Sequence, residues 1–232
     1  MITRPTHDHP AAPPVAARRS TAAGLALAAT LALLAGCGGL LPKPAAPPAQ
    51  FTLDGGGGGG GGVAAPRAPA PGAPSLVVDV RRAAAGYDSR RMLYLRRPHE
   101  LEAFAFHEWV DTPAQMLAPL LVRALQASAG FRVVLLAPSA AVGAWRLETE
   151  LIRLHQDFGA QPSQVRLSLR AVLLDSATRQ VVAWREFDTS VAAAADDPVA
   201  GVRAAHEATQ RVLAAVAVFA AEQARSAAAA RP

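Results

Sequence analysis

The sequence predicts an α+β fold in which two amphipathic helices cover one face of an antiparallel or mixed β-sheet. Three observations point there. Runs with strand-like alternation come in blocks, not one for one with helices. Two segments, after Thr112 and after Asp197, repeat apolar residues at helical spacing. The 232 residues suit one domain or at most two small ones, and a single cysteine excludes an intramolecular disulfide framework. Hydrophobic residues make up 51 % of the chain, but 55 residues are alanine, which raises apparent apolarity without supplying bulky core.

Taken in order, residues 76–80 (LVVDV) and 92–95 (MLYL) read as strands. A third covers 101–109 (LEAFAFHEW), with Leu101, Ala103 and Ala105 on the face opposite Phe104 and Phe106. Asp111-Thr112-Pro113 reads as a helix start, with Thr112 as N-cap and Pro113 at the first helical position. Leu117, Leu120, Leu121, Ala124 and Leu125 form its buried face, and Gly130 closes it. Pro119 interrupts that pattern, predicting a kink or a cost of about 3 kcal/mol.

Residues 131–136 are a β-branched-rich strand. Residues 145–151 alternate strictly, and the phase slips at Ile152, which predicts a bulge. Residues 165–173 and 181–191 form a hairpin across the turn Asp175-Ser176-Ala177-Thr178. Asp197-Pro198 opens a long helix with Val199, Val202, Thr209, Val212, Leu213, Val216 and Phe219 on one face. Trp109, Trp145 and Trp184 are expected to fill the core, and residues 226–232 to be a disordered tail.

The first 36 residues read as a targeting segment. Arg4, Arg18 and Arg19 make a positive start, and the apolar stretch 22–35 spans 14 residues, short of the roughly 20 that cross a bilayer. It ends Leu34-Ala35-Gly36-Cys37, the lipobox pattern of bacterial lipoproteins. Small residues fit the chain into the processing site. The thiol of Cys37 alone can become the thioether to diacylglycerol. About three acyl chains would follow. At about 0.8 kcal/mol per buried CH₂, two already anchor a protein stably. Gly38 replaces the Asp that retains many such proteins at the inner membrane, which favours the outer membrane and its periplasmic face.

Without residues 1–36 the charge is +3, no signature of nucleic-acid binding. Residues 38–74 hold 11 Gly and 8 Pro, including the unbroken run Gly55–Gly62, and read as a flexible tether broken only by Phe51-Thr52-Leu53-Asp54, compatible with a short strand. The glycine run lacks the Lys-Ser/Thr and the following helix of a phosphate cradle. His99, His107, His155 and His206 have no metal-binding spacing, and no nucleophile elbow is present. No catalytic residue, metal site or cofactor is therefore assigned. Glu148 and Glu150 share a strand face and could imitate an acid–base pair, but Arg146 and Arg153 beside them favour a solvated face. Arg81, Arg82, Arg90, Arg91, Arg96 and Arg97 fall within 17 residues. Guanidinium groups grip carboxylates and phosphates bidentately, so contact with an anionic headgroup or acidic partner is weighed against simple solubility.

The lipobox, Phe51-Thr52-Leu53, Gly86-Tyr87-Asp88 followed by Met92-Leu93-Tyr94, Trp109 with Pro113, residues 151–158 (LIRLHQDF), the 165–187 hairpin and the alanine-rich last helix follow one another in an order that resembles the ABC-type transport auxiliary lipoproteins, the group of paraquat-inducible protein C. The resemblance moves the domain start to about residue 50. It leaves 37–49 as lipidated tether, 50–225 as the domain, and 55–74 as a disordered loop inside it. It implies a non-enzymatic component of a lipid transport system between inner and outer membranes. Its partners would be a mammalian-cell-entry (MCE) protein with an ABC permease and ATPase. Of the site residues only Cys37 carries over. Direct contact with phospholipid and self-association stay open. So does a second reading, an outer-membrane assembly or envelope-integrity lipoprotein unconnected to an ABC transporter.

Overall fold

The computed structural model describes residues 46–53 and 68–230, without the side chain of Arg81. The signal segment 1–36, Cys37, most of the expected tether, the glycine run and residues 231–232 lie outside the described residues. The compact unit 47–232 contains strands β1 (Ala49–Phe51), β2 (Ser75–Ala83), β3 (Arg91–Leu95), β4 (Leu101–Trp109), β5 (Val133–Leu136), β6 (Trp145–Asp157), β7 (Gln164–Asp175) and β8 (Val181–Ala192). Helix α1 (Pro113–Ala127) lies between β4 and β5, and α2 (Pro198–Ala229) follows β8.

The eight strands form one mixed sheet built around β6. One edge of β6 pairs antiparallel with β7 along its whole length. The other edge is shared. Its first half takes β2 in parallel, with Leu76 opposite Trp145, and its end takes β3 in parallel, with Tyr94 opposite Gln156. The sheet therefore forks into a β2–β5 branch and a β3–β4–β1 branch. The expected bulge is present: the β6–β7 register shifts between Leu151 and Arg153. The extra residue resets the alternation, so that Leu147 and Leu151 before it and Leu154 after it all enter the core.

Both helices pack on the same face. The sheet supplies the bulk there, from Leu76, Val78, Trp145, Leu147, Leu169 and Leu173, and α1 adds Leu117, Leu121 and Leu125. Helix α2 contributes small side chains, among them Ala204, Ala208 and Ala220, which let its backbone lie close to the sheet. By length and hydropathy α2 could cross a membrane, yet 15 of its residues are buried in this core, so it is a core helix here.

Several expectations are corrected. Trp109 and Trp145 are buried, but Trp184 is 65 % exposed, because it lies on the face of β8 that no helix covers. In β4 the register against β3 shifts between the pairs Arg91–Glu108 and Leu93–Ala103. Simple alternation fails there: Phe104 packs against the core and Phe106 is exposed. Helix α1 runs unbroken through Pro119, whose ring faces solvent beside Gln115, the residue whose carbonyl loses its donor. Thr112 is the N-cap but makes no side-chain cap bond; the Asp111 carboxylate instead accepts its N–H at 2.7 Å.

Residues 68–74 of the expected loop are held in place: Ala70 N–H bonds Ala129 O, and Arg132 N–H bonds Pro74 O. The last helix runs to Ala229, into the expected tail 226–232, continuing a turn beyond the buried Ala221 and Ala224. Gly130 does not end α1 by its own conformation; Ala129 takes the left-handed φ of 56°. Gly130 is required for another reason. A Cβ there would stand 2.4 Å from the Cβ of Ala221 on α2.

Gly130→Ala is therefore expected to lower the stability by about 1–3 kcal/mol in denaturant unfolding, the usual cost of overpacking a filled contact. Adding Ala221→Gly should recover part of that loss. Simple additivity of the two substitutions would show that the contact is not the cause.

Candidate functional site

The face of the sheet away from the helices is built by the polar half of each alternating strand. Arg146, Glu148 and Glu150 of β6 stand beside Arg170 of β7 and Glu186 of β8. Arg146 reaches Asp79 Oδ2 at 2.7 Å through Nη2 and Glu148 Oε1 at 2.9 Å through Nε. Arg170 bridges Glu150 at 3.1 Å and Glu186 at 3.3 Å. Glu148 and Glu150 are thus rungs of a charge ladder on different arginines. The partner of Glu150 is Arg170 across the strand, not Arg153 along it. Half-exposed pairs of this kind contribute about 0–1 kcal/mol each. Their main effect is to fix the sign of charge at each point of the face.

An open groove of about 560 Å³ lies at the start of β6, between loop 137–143 and the β7–β8 turn. Pro138, Val142 and Leu174 give it an apolar wall, and Arg146, Glu148 and Arg179 its charges. A second trough of about 310 Å³ shares Arg146 and Glu148 and adds Asp79, Arg82 and Thr149. No histidine lines either of them. The hydroxyls present are Ser139 and Ser176 in the groove and Thr149 in the trough. A guanidinium beside an apolar wall equips the surface to bind an anionic or amphipathic group.

One buried polar pair lies elsewhere. The Tyr87 hydroxyl sits 2.9 Å from His155 Nδ1, and the rings stack at 6.0 Å. Burial lowers the His155 pKa to about 4, so the ring is neutral at pH 7. Burial also raises the Tyr87 pKa. His155 Nε2 has no partner among the described residues. A small cavity of about 20 Å³ is lined by His155 together with Gln156, Leu154, Val165 and Gly201. The pair fastens segment 84–90 onto the sheet. His206 fastens α2 to the β1 segment in the same way, 2.8 Å from Thr52 O.

The family model of the ABC-type transport auxiliary lipoprotein component matches residues 61–217. The chain belongs to that family. Among solved structures, a protein from Xanthomonas campestris is similar at 24 % identity, with 69 % of this chain and 93 % of that one covered and a TM-score of 0.62. An uncharacterised protein is similar at 13 % identity, with 75 % and 99 % covered and a TM-score of 0.57. These two show the fold. No curated protein matches the sequence.

Membership makes this auxiliary lipoprotein a membrane-anchored envelope protein. Its expected lipidation site, Cys37, lies outside the described residues, as does the side chain of Arg81. The remaining five arginines do not form one patch. Arg90 is bound to Glu108 at 2.6 Å and to Trp109 O, and exposed Arg91 begins β3. Arg96 lies over the Tyr94 ring at 5.2 Å and Arg97 pairs with Glu100 at 3.1 Å, both beyond the end of β3. A five-residue strand, about 17 Å, separates the two groups. Arg82 stands apart in the trough with Asp79 and Arg146. Sequence reasoning missed the Tyr87–His155 pair, 68 residues apart, and the groove, whose walls come from β2, β6, β7 and a loop. Among the described residues no three His, Cys, Asp or Glu side chains converge to hold a metal ion.

The His155 pair gives a pH dependence. With a native pKa of about 4 against 6.5 when exposed, the unfolded chain binds the proton first. The stability from neutral burial is complete above pH 6.5 and is lost as pH falls from there towards 4. His155→Gln should remove this component, a slope of up to about 1.4 kcal/mol per pH unit. Unfolding free energies measured from pH 4 to 7 check it, and identical slopes in both proteins would refute it. Tyr87→Phe should cost about 1–3 kcal/mol at pH 7 by stripping Nδ1 of its partner.

Proposed function

We propose that this lipoprotein is a non-enzymatic component of an MCE-type ABC transport system that moves lipids between the inner and outer membranes. Its task is to dock the periplasmic assembly at the outer membrane. The observation that carries this reading is the family match across residues 61–217. The Leu34-Ala35-Gly36-Cys37 lipobox and the Gly38 that follows it support the anchor and its outer-membrane side. Cys37 is 12 residues from Ala49, where β1 begins. Twelve residues reach at most about 43 Å when fully extended. A domain tied that closely to a bilayer is suited to bracing a partner at the membrane surface. Its open groove and charge ladder offer contact surface rather than chemistry.

Cys37→Ser is expected to leave the domain folded and to move the protein from the membrane to the soluble fraction. The partner test is a mild-detergent pull-down of the tagged, lipidated chain, read by mass spectrometry for proteins and lipids. Recovery of an MCE-domain protein with its permease supports the transport reading, and co-purified phospholipid would add direct lipid handling. Recovery of outer-membrane assembly factors, with no MCE protein at any detergent strength, would replace it with the envelope-integrity role.

A further inference from the structure

We propose that the open edge of β8 is a docking edge that accepts one β-strand from a partner protein carrying basic side chains at alternate positions. The edge and its charges are the same whatever transport assembly the chain serves.

Strand β8 is 12 residues long and pairs on one side only, with β7. Among the described residues nothing pairs with its other side. The other terminal strands, β1 and β5, have three and four residues. Long bare edges are normally shortened or interrupted by proline, lysine or other charges, because their unpaired N–H and C=O groups template another strand. Strand β8 contains no proline or lysine, and its charges on the solvent face, Glu186 and Asp188, are of one sign and selective for the opposite one. Its one irregularity lies at its start, opposite Leu173 and Leu174, so 183–192 present a regular ladder.

The charges on this edge select the occupant. Trp184, Glu186, Asp188 and Ser190 line the solvent face. Across the sheet the sign alternates, Glu150 on β6, Arg170 on β7, Glu186 on β8, and stops at the edge on a carboxylate. Glu186 shares its arginine with Glu150, and among the described residues Asp188 accepts a hydrogen bond from the Ser168 hydroxyl. The nearest cation on β8 is spent on the other face: the Arg185 guanidinium lies over the Phe187 and Phe219 rings at 5.8 and 5.1 Å. The chain is basic overall, at +5, yet this edge is acidic. The next rung of the ladder is positive. A second copy does not supply it, since two-fold antiparallel pairing centred on Phe187 sets Glu186 of each copy against Asp188 of the other, and like charges across a strand pair repel. A partner strand with Arg or Lys in its outward row would meet both carboxylates and could lay one side chain on the exposed Trp184 ring.

The test uses the full chain in detergent and three synthetic 12-residue peptides: alternating Arg with Val and Thr, alternating Glu with Val and Thr, and a scrambled form of the first. Hydrogen exchange of the β8 amides that point away from β7 is the readout. The alternating-Arg peptide should slow exchange about tenfold more than the alternating-Glu peptide, as two cross-strand ion pairs allow, and more than the scrambled one. The double variant E186K/D188K, with both changes on the exposed face, should reverse the preference. Equal protection by all three peptides, or protection by none, overturns the proposal. So does prior protection of these amides in the free chain, whether it is independent of concentration, from the chain's own residues, or rises with concentration, from a second copy.

Discussion

Everything in this domain hangs on the shared edge of β6. A 13-residue strand offers more edge than either of its parallel neighbours can fill, so β2 takes the first half and β3 the end. The strand also changes phase between the two halves, so that an extra residue separates their rows of core-facing side chains. The bulge at Ile152 makes that change. It also releases His155 to the face opposite the helices, where Tyr87 covers it, and turns Gln156 inward, where it donates to Ser163 Oγ at 2.9 Å beneath the start of α2.

The second constraint is closeness. An alanine-rich helix supplies little volume, so it stabilises the fold only if its backbone approaches the sheet and α1 tightly enough to exclude water. Glycines mark the two tightest places. Gly130 meets Ala221, and a Cβ on Gly201 would stand 2.2 Å from Gln156 Oε1. Bulk comes from the other side of each contact, from tryptophan and leucine on β6 and β7. One helical layer is therefore enough, and among the described residues no helix covers the opposite face of the sheet. On that face alternation leaves arginine and glutamate in register across three strands, and the groove opens beside them. A fold with one dressed face and one charged, open face suits a protein whose family works as an accessory to a transporter.

The fold was largely legible because its signals are local. Strict alternation marked β6 and β7, the Asp175 turn marked their hairpin partner, and Asp197-Pro198 marked the start of α2, where the Asp197 side chain accepts the Ala200 N–H at 2.8 Å. Legibility failed where a residue's role depends on what faces it. Trp184 reads as core by size and is exposed by its strand face. Pro119 reads as a breaker and is tolerated because its lost bond faces water. Gly130 reads as a helix stop and is a contact.

The sequence by itself determined the secondary structure, the phase slip at Ile152 and the family, since each is written in neighbouring residues or in the order of short motifs. The tertiary structure alone decided the forked sheet, the pairing of Tyr87 with His155, the dispersal of the clustered arginines and the open acidic edge of β8. Those depend on which strands become neighbours, and strand order is set by packing between residues tens of positions apart, which no local pattern encodes.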